Sequence, residues 1–188
     1  SNIDAAQVRI RDALCSALSI GEDELPFAGE LIQVRDDERE WEGAAERLLR
    51  GFGLALLVPD AQYKVVADWV DRQHLGARLV YFHVRQRKAA HGAGGASLHP
   101  QSLVRKLVIK PDSPHYEWLE QELRQRFDVA CCHTGEQFRR EARAMTRAGQ
   151  IKDPSGRHEK DDRSHIDDRR RYVLGWSNAD KLRALRDQ

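Results

Sequence analysis

EGAAERLLRGFGLALLV, residues 42–58, is the stretch on which the fold turns. Counted from Trp41, Ala44, Ala45, Leu48 and Leu49 stand at i+3, i+4, i+7 and i+8, the spacing of one buried helical face. Gly51 and Gly53 break that pattern. Residues 54–58 then run apolar without alternation, as a strand covered on both faces does, until Pro59 stops the run. The unit recurs further along the chain. Moved by 75 residues, Glu42, Leu48, Phe52, Ala55, Gln62 and Ala67 fall on Glu117, Leu123, Phe127, Ala130, Gln137 and Ala142. Ile32, Val34, Trp41, Leu54 and Tyr63 fall on Leu107, Ile109, Tyr116, Val129 and Phe138, so apolar and aromatic positions coincide too. Self-similarity at a fixed offset marks an internal duplication.

Outward from this unit the first copy reads strand (31–34), helix, strand (54–58), helix (Tyr63, Val66, Ala67, Val70) and strand (78–84). In the second copy residues 103–109 read as extended. A helix follows with Ser113 at its N-cap and Pro114 at its first position, then a strand over 129–132 and a helix capped by Thr134 with Gln137 three residues on. The fold class is α/β, in two pseudo-symmetric halves. Ile3, Gln7, Ile10, Leu14 and Ala17 keep the alternating spacing of a coiled-coil seam, and Ser177 with Asp180 opens a helix carrying Leu182 and Leu185. So short a seam suits an ordinary amphipathic helix equally well. The expected organisation is an arm stub at 1–20, half one at 21–84, a linker at 85–100, half two with a charged tail at 101–176 and a second stub at 177–188. The chain opens without methionine, which predicts a segment of something longer.

The 31 basic and 30 acidic residues leave a net charge of +1, so any polyanion site has to be local. No apolar run approaches the roughly 20 residues of a membrane span, and no secretory pattern opens the chain, so a cytoplasmic protein without membrane partners is expected. Cys15, Cys131 and Cys132 make no disulfide framework and read as buried thiols. The GAGGAS run at 92–97 lacks the Gly-Lys-Ser/Thr ending that holds phosphate and magnesium, and reads as linker. No Gly-x-Ser-x-Gly elbow and no zinc-finger spacing of Cys and His occurs.

The tail, residues 150–176, is dense in both charges. Glu159, Asp161, Asp162, His165, Asp167 and Asp168 supply the carboxylates of a two-metal nuclease, but nearly every one has an arginine or lysine beside it that competes with a metal. No catalytic residue and no metal ligand is assigned. Arg157, Lys160, Arg163, Arg169, Arg170 and Arg171 are the DNA-binding candidates, preceded by Arg139, Arg140, Arg143, Arg147 and Lys152. Backbone contacts of this kind give affinity without sequence specificity. The alternative is that neighbouring Asp and Glu neutralise these cations within the fold. Gly51, Gly53, Gly76 and Gly149 are candidates for close approach at a dimer interface, with tight turn geometry as the competing explanation.

The succession ELIQVRDDEREWEGAAERLLRGFGLALLV, HLGARLVYFHV, SLVRKL, TRAGQIK, GRHEKDDR and DDRRRYVLGW resembles the hinge region of SMC-like ATPases, nearest to the MukB-like subunit of bacterial condensin-like Mks and Wadjet (Jet) systems. Residues 42–58 match the helix, glycine turn and strand of a first hinge half; Thr146 to Ile151 matches the Thr-x-x-Gly turn and strand late in the second. The resemblance implies an SMC-hinge-like fold between coiled-coil arms, homodimerisation through the hinge and no enzyme activity in this segment. It implies a parent ATPase with ATP and magnesium at distant heads. Kleisin and accessory subunits, DNA, loop extrusion and a nucleoid-associated role in chromosome organisation or plasmid restriction belong to that same expectation. The charged tail after Ile151 departs from the family pattern and weakens any transfer of DNA-contact positions.

Overall fold

The computed structural model describes residues 3–86 and 97–176. Most of the expected linker and the whole expected stub at 177–188 lie outside the described residues. The chain begins with α1 (Ala5–Leu18) and reaches β1 (Ile32–Val34) through short 3-10 turns, the second at Ala28–Leu31. A further 3-10 segment, Asp36–Trp41, leads into α2 (Glu42–Gly53), then β2 (Leu56–Pro59), α3 (Asp60–Arg72) and β3 (Tyr81–Val84). The second half runs from a 3-10 turn at Leu103–Lys106 through β4 (Leu107–Ile109), α4 (Tyr116–Arg126), β5 (Ala130–Cys132) and α5 (Gly135–Arg140) to β6 (Ala144–Thr146). Two strands without counterpart follow, β7 (Gln150–Lys152) and β8 (His158–Lys160). The α/β class and the two halves stand as expected.

The halves meet strand to strand. β1 pairs antiparallel with β4, placing Ile32 opposite Ile109, Gln33 opposite Val108 and Val34 opposite Leu107. Under the 75-residue offset the counterpart of Gln33 is Val108 itself, so a local twofold passes between equivalent positions. In each half a strand, a helix and a parallel strand follow: β2 with β3, and β5 with β6. The 3-10 turns before β1 and β4 keep the same offset, but the helices do not. Trp41 at the head of α2 and Ala44, Ala45 and Leu49 within it are buried, and the buried apolar positions of α4 are Trp118, Leu119 and Leu123 behind His115, an offset of 74. Tyr116, the expected equivalent of Trp41, is 37% exposed. One residue is missing between β4 and α4, and sequence identity alone hid the slip.

Three local expectations change as well. Residues 103–106 form a 3-10 turn because the Ser102 hydroxyl accepts the amide of Val104 at 3.2 Å and tightens the backbone before β4. Ser113 accepts the His115 amide at 3.1 Å in a turn, and α4 begins only at Tyr116. Residues 54 and 55 belong to the turn after α2, and residues 78–80 precede β3. Thr134 does cap α5, its hydroxyl accepting from the Gln137 amide at 3.1 Å.

One core spans both halves. The faces of α2 and α4 close over β1 and β2, and the rings of Phe52, Phe82, Trp118 and Phe127 meet at 5.4–6.2 Å between centroids. The Arg126 guanidinium lies over three of those rings at 5.4–5.6 Å. Of the seam residues on α1, Ile10 and Leu14 are buried in the domain, Gln7 bonds the Arg78 carbonyl at 2.7 Å, and Ala17 is exposed. The α1 stripe therefore packs on the first half near Leu25, Phe27 and Val66. Cys131 faces the main core and Cys132 a smaller cluster, as neighbours on a strand must. Burial pushes the Cys131 thiol up to about 12 and that of Cys15 to about 11, so both stay protonated at neutral pH.

Candidate functional site

The pseudo-symmetry breaks at the sheet edges. In the second half β6 is covered by the antiparallel β7, and β7 by β8, giving the order β5-β6-β7-β8. In the first half β3 has only β2 beside it among the described residues. The Leu56 amide donates to the Val80 carbonyl, so Phe82 and Val84 also turn their amides to β2 while those of Tyr81 and His83 point outward. β8 is the other open edge. The Asp153 amide donates to the Arg157 carbonyl, so Glu159 faces Ile151 and the amides of His158 and Lys160 point outward. β3 and β8 thus each end a sheet with one side unpaired among the described residues.

Side chains stiffen the β3 edge. His83 Nε2 lies 2.6 Å from Asp60 Oδ1 at the start of α3, and its ring stacks on Tyr63 at 3.7 Å and 3°. On β8 all three residues are exposed, and Arg157 with Glu159 (2.8 Å) and Lys160 with Asp162 form ion pairs along the strand. β8 is three polar residues without alternation, so no pattern in the sequence marks it as a strand.

The tail cations are mostly partnered. Arg163 pairs with Asp161 at 2.6 Å, Arg170 with Asp168 at 2.9 Å and Arg169 with Glu42 at 3.0 Å, in addition to the Arg157 and Lys160 pairs. The guanidinium of Arg171 makes no ion pair among the described residues, although its carbonyl accepts from Arg50 at 2.6 Å. Arg163 holds the Asp161 carboxyl well below the usual range, and Lys160 and Arg170 lower Asp162 and Asp168 in the same way. By contrast Arg139, Arg140 and Arg143, around the end of α5, make no ion pair among the described residues, and the first two are exposed.

The candidate glycines separate into different roles. A Cβ on Gly53 would stand 2.9 Å from Val173 Cγ2, and one on Gly149 would stand 2.8 Å from the Arg47 guanidinium, so both are spent on approaches within the chain. Gly76 and Gly149 have φ of +66° and +96°, and Gly76 and Gly51 have open space around them. Among the described residues no group of three or more His, Cys, Asp or Glu stands close enough to hold a metal ion. No helix among them is long and apolar enough to cross a membrane.

No family model matches the chain, and no curated protein matches it significantly in sequence. Solved structures do. The hinge domain of the SMC protein of Pyrococcus furiosus matches 86% of this chain and 86% of its own, at a TM-score of 0.55 and 18% identity. The same hinge with an extended coiled coil matches 96% of this chain and 65% of its own, at 0.58 and 17%. A chain from the folded elbow of cohesin matches all of this chain at 0.66 and 16% identity, and this chain spans 27% of its length. The fold is that of an SMC hinge domain.

Proposed function

We propose that this chain is the hinge, or homodimerisation, module of an SMC-like ATPase. The observation that supports the reading is the broken symmetry: β1 and β4 pair with each other in a sheet of their own, and β3 and β8 end the other two sheets with one side open among the described residues. An open edge gains by accepting a strand, and β3 of one copy pairing with β8 of another, repeated by a twofold, satisfies both at once. A stable assembly of this kind buries more than about 1,000 Å². The fold shared with SMC hinges supports the same conclusion. In the parent, ATP and magnesium would be handled at heads outside this segment, with kleisin and accessory subunits as partners. The parent's task would be loop extrusion in chromosome organisation or plasmid restriction of the Wadjet kind, in the cytoplasm at the nucleoid. Concentration-dependent light scattering of the wild type and of Lys160→Pro tests the edge. The proline deletes an outward amide and leaves the Glu159 bonds to β7, so dimer dissociation should strengthen at least tenfold. Equal association of the two proteins would remove β8 from the interface.

A second reading, DNA contact, is favoured by one observation: among the described residues Arg139, Arg140 and Arg143 lack the carboxylate partners that most of the tail cations have. Binding to a duplex should weaken steeply with salt and should fall more for the triple Glu variant of these three than for that of Arg169, Arg170 and Arg171. Absence of binding at low salt would discard it.

A further inference from the structure

The helix α2 carries two working faces. Ala44, Ala45, Leu49 and Phe52 enter the core, and Gly43, Glu46, Arg47, Arg50 and Gly53, on the other side, all touch the tail. The tail leaves β8 directly, with Lys160 paired to Asp162 and Asp162 held by Arg47 at 3.2 Å. It then runs along α2. Arg47 also donates to the Ser164 carbonyl at 2.7 Å, and a Cβ on Gly43 would stand 2.5 Å from the Ile166 carbonyl oxygen. Near its end the tail is seated deeply. Val173 is fully buried, and the Glu46 carboxylate, 6% exposed, accepts the Val173 amide at 2.6 Å and the Leu174 amide at 3.1 Å. The groove floor is glycine, because a Cβ on Gly29 would lie 2.5 Å from the Val173 carbonyl oxygen. Arg50 bonds both the Arg171 carbonyl and Asp4 at the start of α1, so one guanidinium holds the entry and the last turn of the described chain.

A buried carboxylate spent on two consecutive backbone amides is a costly way to fix a loop, since it desolvates a charge where an apolar contact would suffice. It makes sense as a discrete seat. We propose that residues 161–175 are a releasable strap that couples the C-terminal end of the described residues to the β8 edge, and that Glu46 is the clip that seats it. Seated, the strap fixes residues 171–175 against α2 and holds β8 flat on β7. Released, it frees those residues and slackens β8. The consequence for pairing rests on β8 being the dimer edge; the coupling itself does not.

Residue-resolved amide exchange on the full chain reads this out. In Glu46→Ala the Val173 and Leu174 amides should exchange at least tenfold faster and the Glu159 amide severalfold faster, with the Leu57 and Val66 amides of the first half unchanged. Arg50→Ala, which strands no buried charge, should give the same pattern more weakly and keeps the test intact if Glu46→Ala does not fold. A uniform rise that includes Leu57 and Val66, or faster exchange at Val173 and Leu174 with Glu159 unmoved, overturns the strap. If the wild type proves monomeric yet shows the local pattern, the strap stands and the interface reading fails.

Discussion

Glu46 shows at the residue scale how one side chain links burial to pH. Burial raises its carboxyl from 4.5 to about 7 against the pull of the Val173 and Leu174 amides, and Glu42 adds to the rise. A carboxyl held higher in the folded state than in the unfolded chain binds its proton more tightly when folded. Its contribution is therefore fully present below pH 4.5 and is lost as pH rises through about 7, on the order of 3 kcal/mol in all. Thermal unfolding of Glu46→Gln should show a flatter profile than the wild type between pH 4.5 and 7; parallel profiles would contradict the assignment. The glycines of the same region give a paired prediction. Gly51→Ala, on the open side of α2, should stabilise by up to about 1 kcal/mol. Gly29→Ala, whose Cβ meets backbone oxygen at 2.5 Å, should destabilise by about 1–3 kcal/mol in chemical denaturation.

The short elements depend on local bonds that single side chains supply. Thr134→Ala removes the cap of α5, a helix of 6 residues, and should cost about 1 kcal/mol of unfolding free energy. That cap was legible, because Thr followed by Gln at the third position is a local signal. So were α2 and β2, where helical spacing gives way to an unbroken apolar run. The start of α4 was not: Ser113 and Pro114 satisfy the rule for a helix start, yet the chain spends them on a turn before His115 enters the core. β8 left no pattern to read, since all three of its residues are exposed and only its partner β7 makes it a strand. The tail cations were visible, but not their partners. Arg169 reaches Glu42 and Arg47 reaches Asp162 across more than a hundred residues of chain, a proximity that no spacing rule encodes.

On the scale of the whole molecule, duplication accounts for both the closure of the fold and the opening it leaves. The 75-residue repeat announced two halves, and the β1–β4 pair shows equivalent strands meeting across a local twofold. A strictly symmetric chain would expose the same edge twice. Here β7 and β8 extend the sheet of the second half and move its free edge outward, so β3 and β8 are edges of different sequence. In the proposed dimer that asymmetry would let β3 of one copy meet β8 of the other, and the proposed strap lies beside one of those two edges. Sedimentation equilibrium of the wild-type chain at micromolar concentration tests this most directly. The account predicts a species of twice the 21.5 kDa chain mass, and a strict 21.5 kDa monomer throughout the range would contradict it.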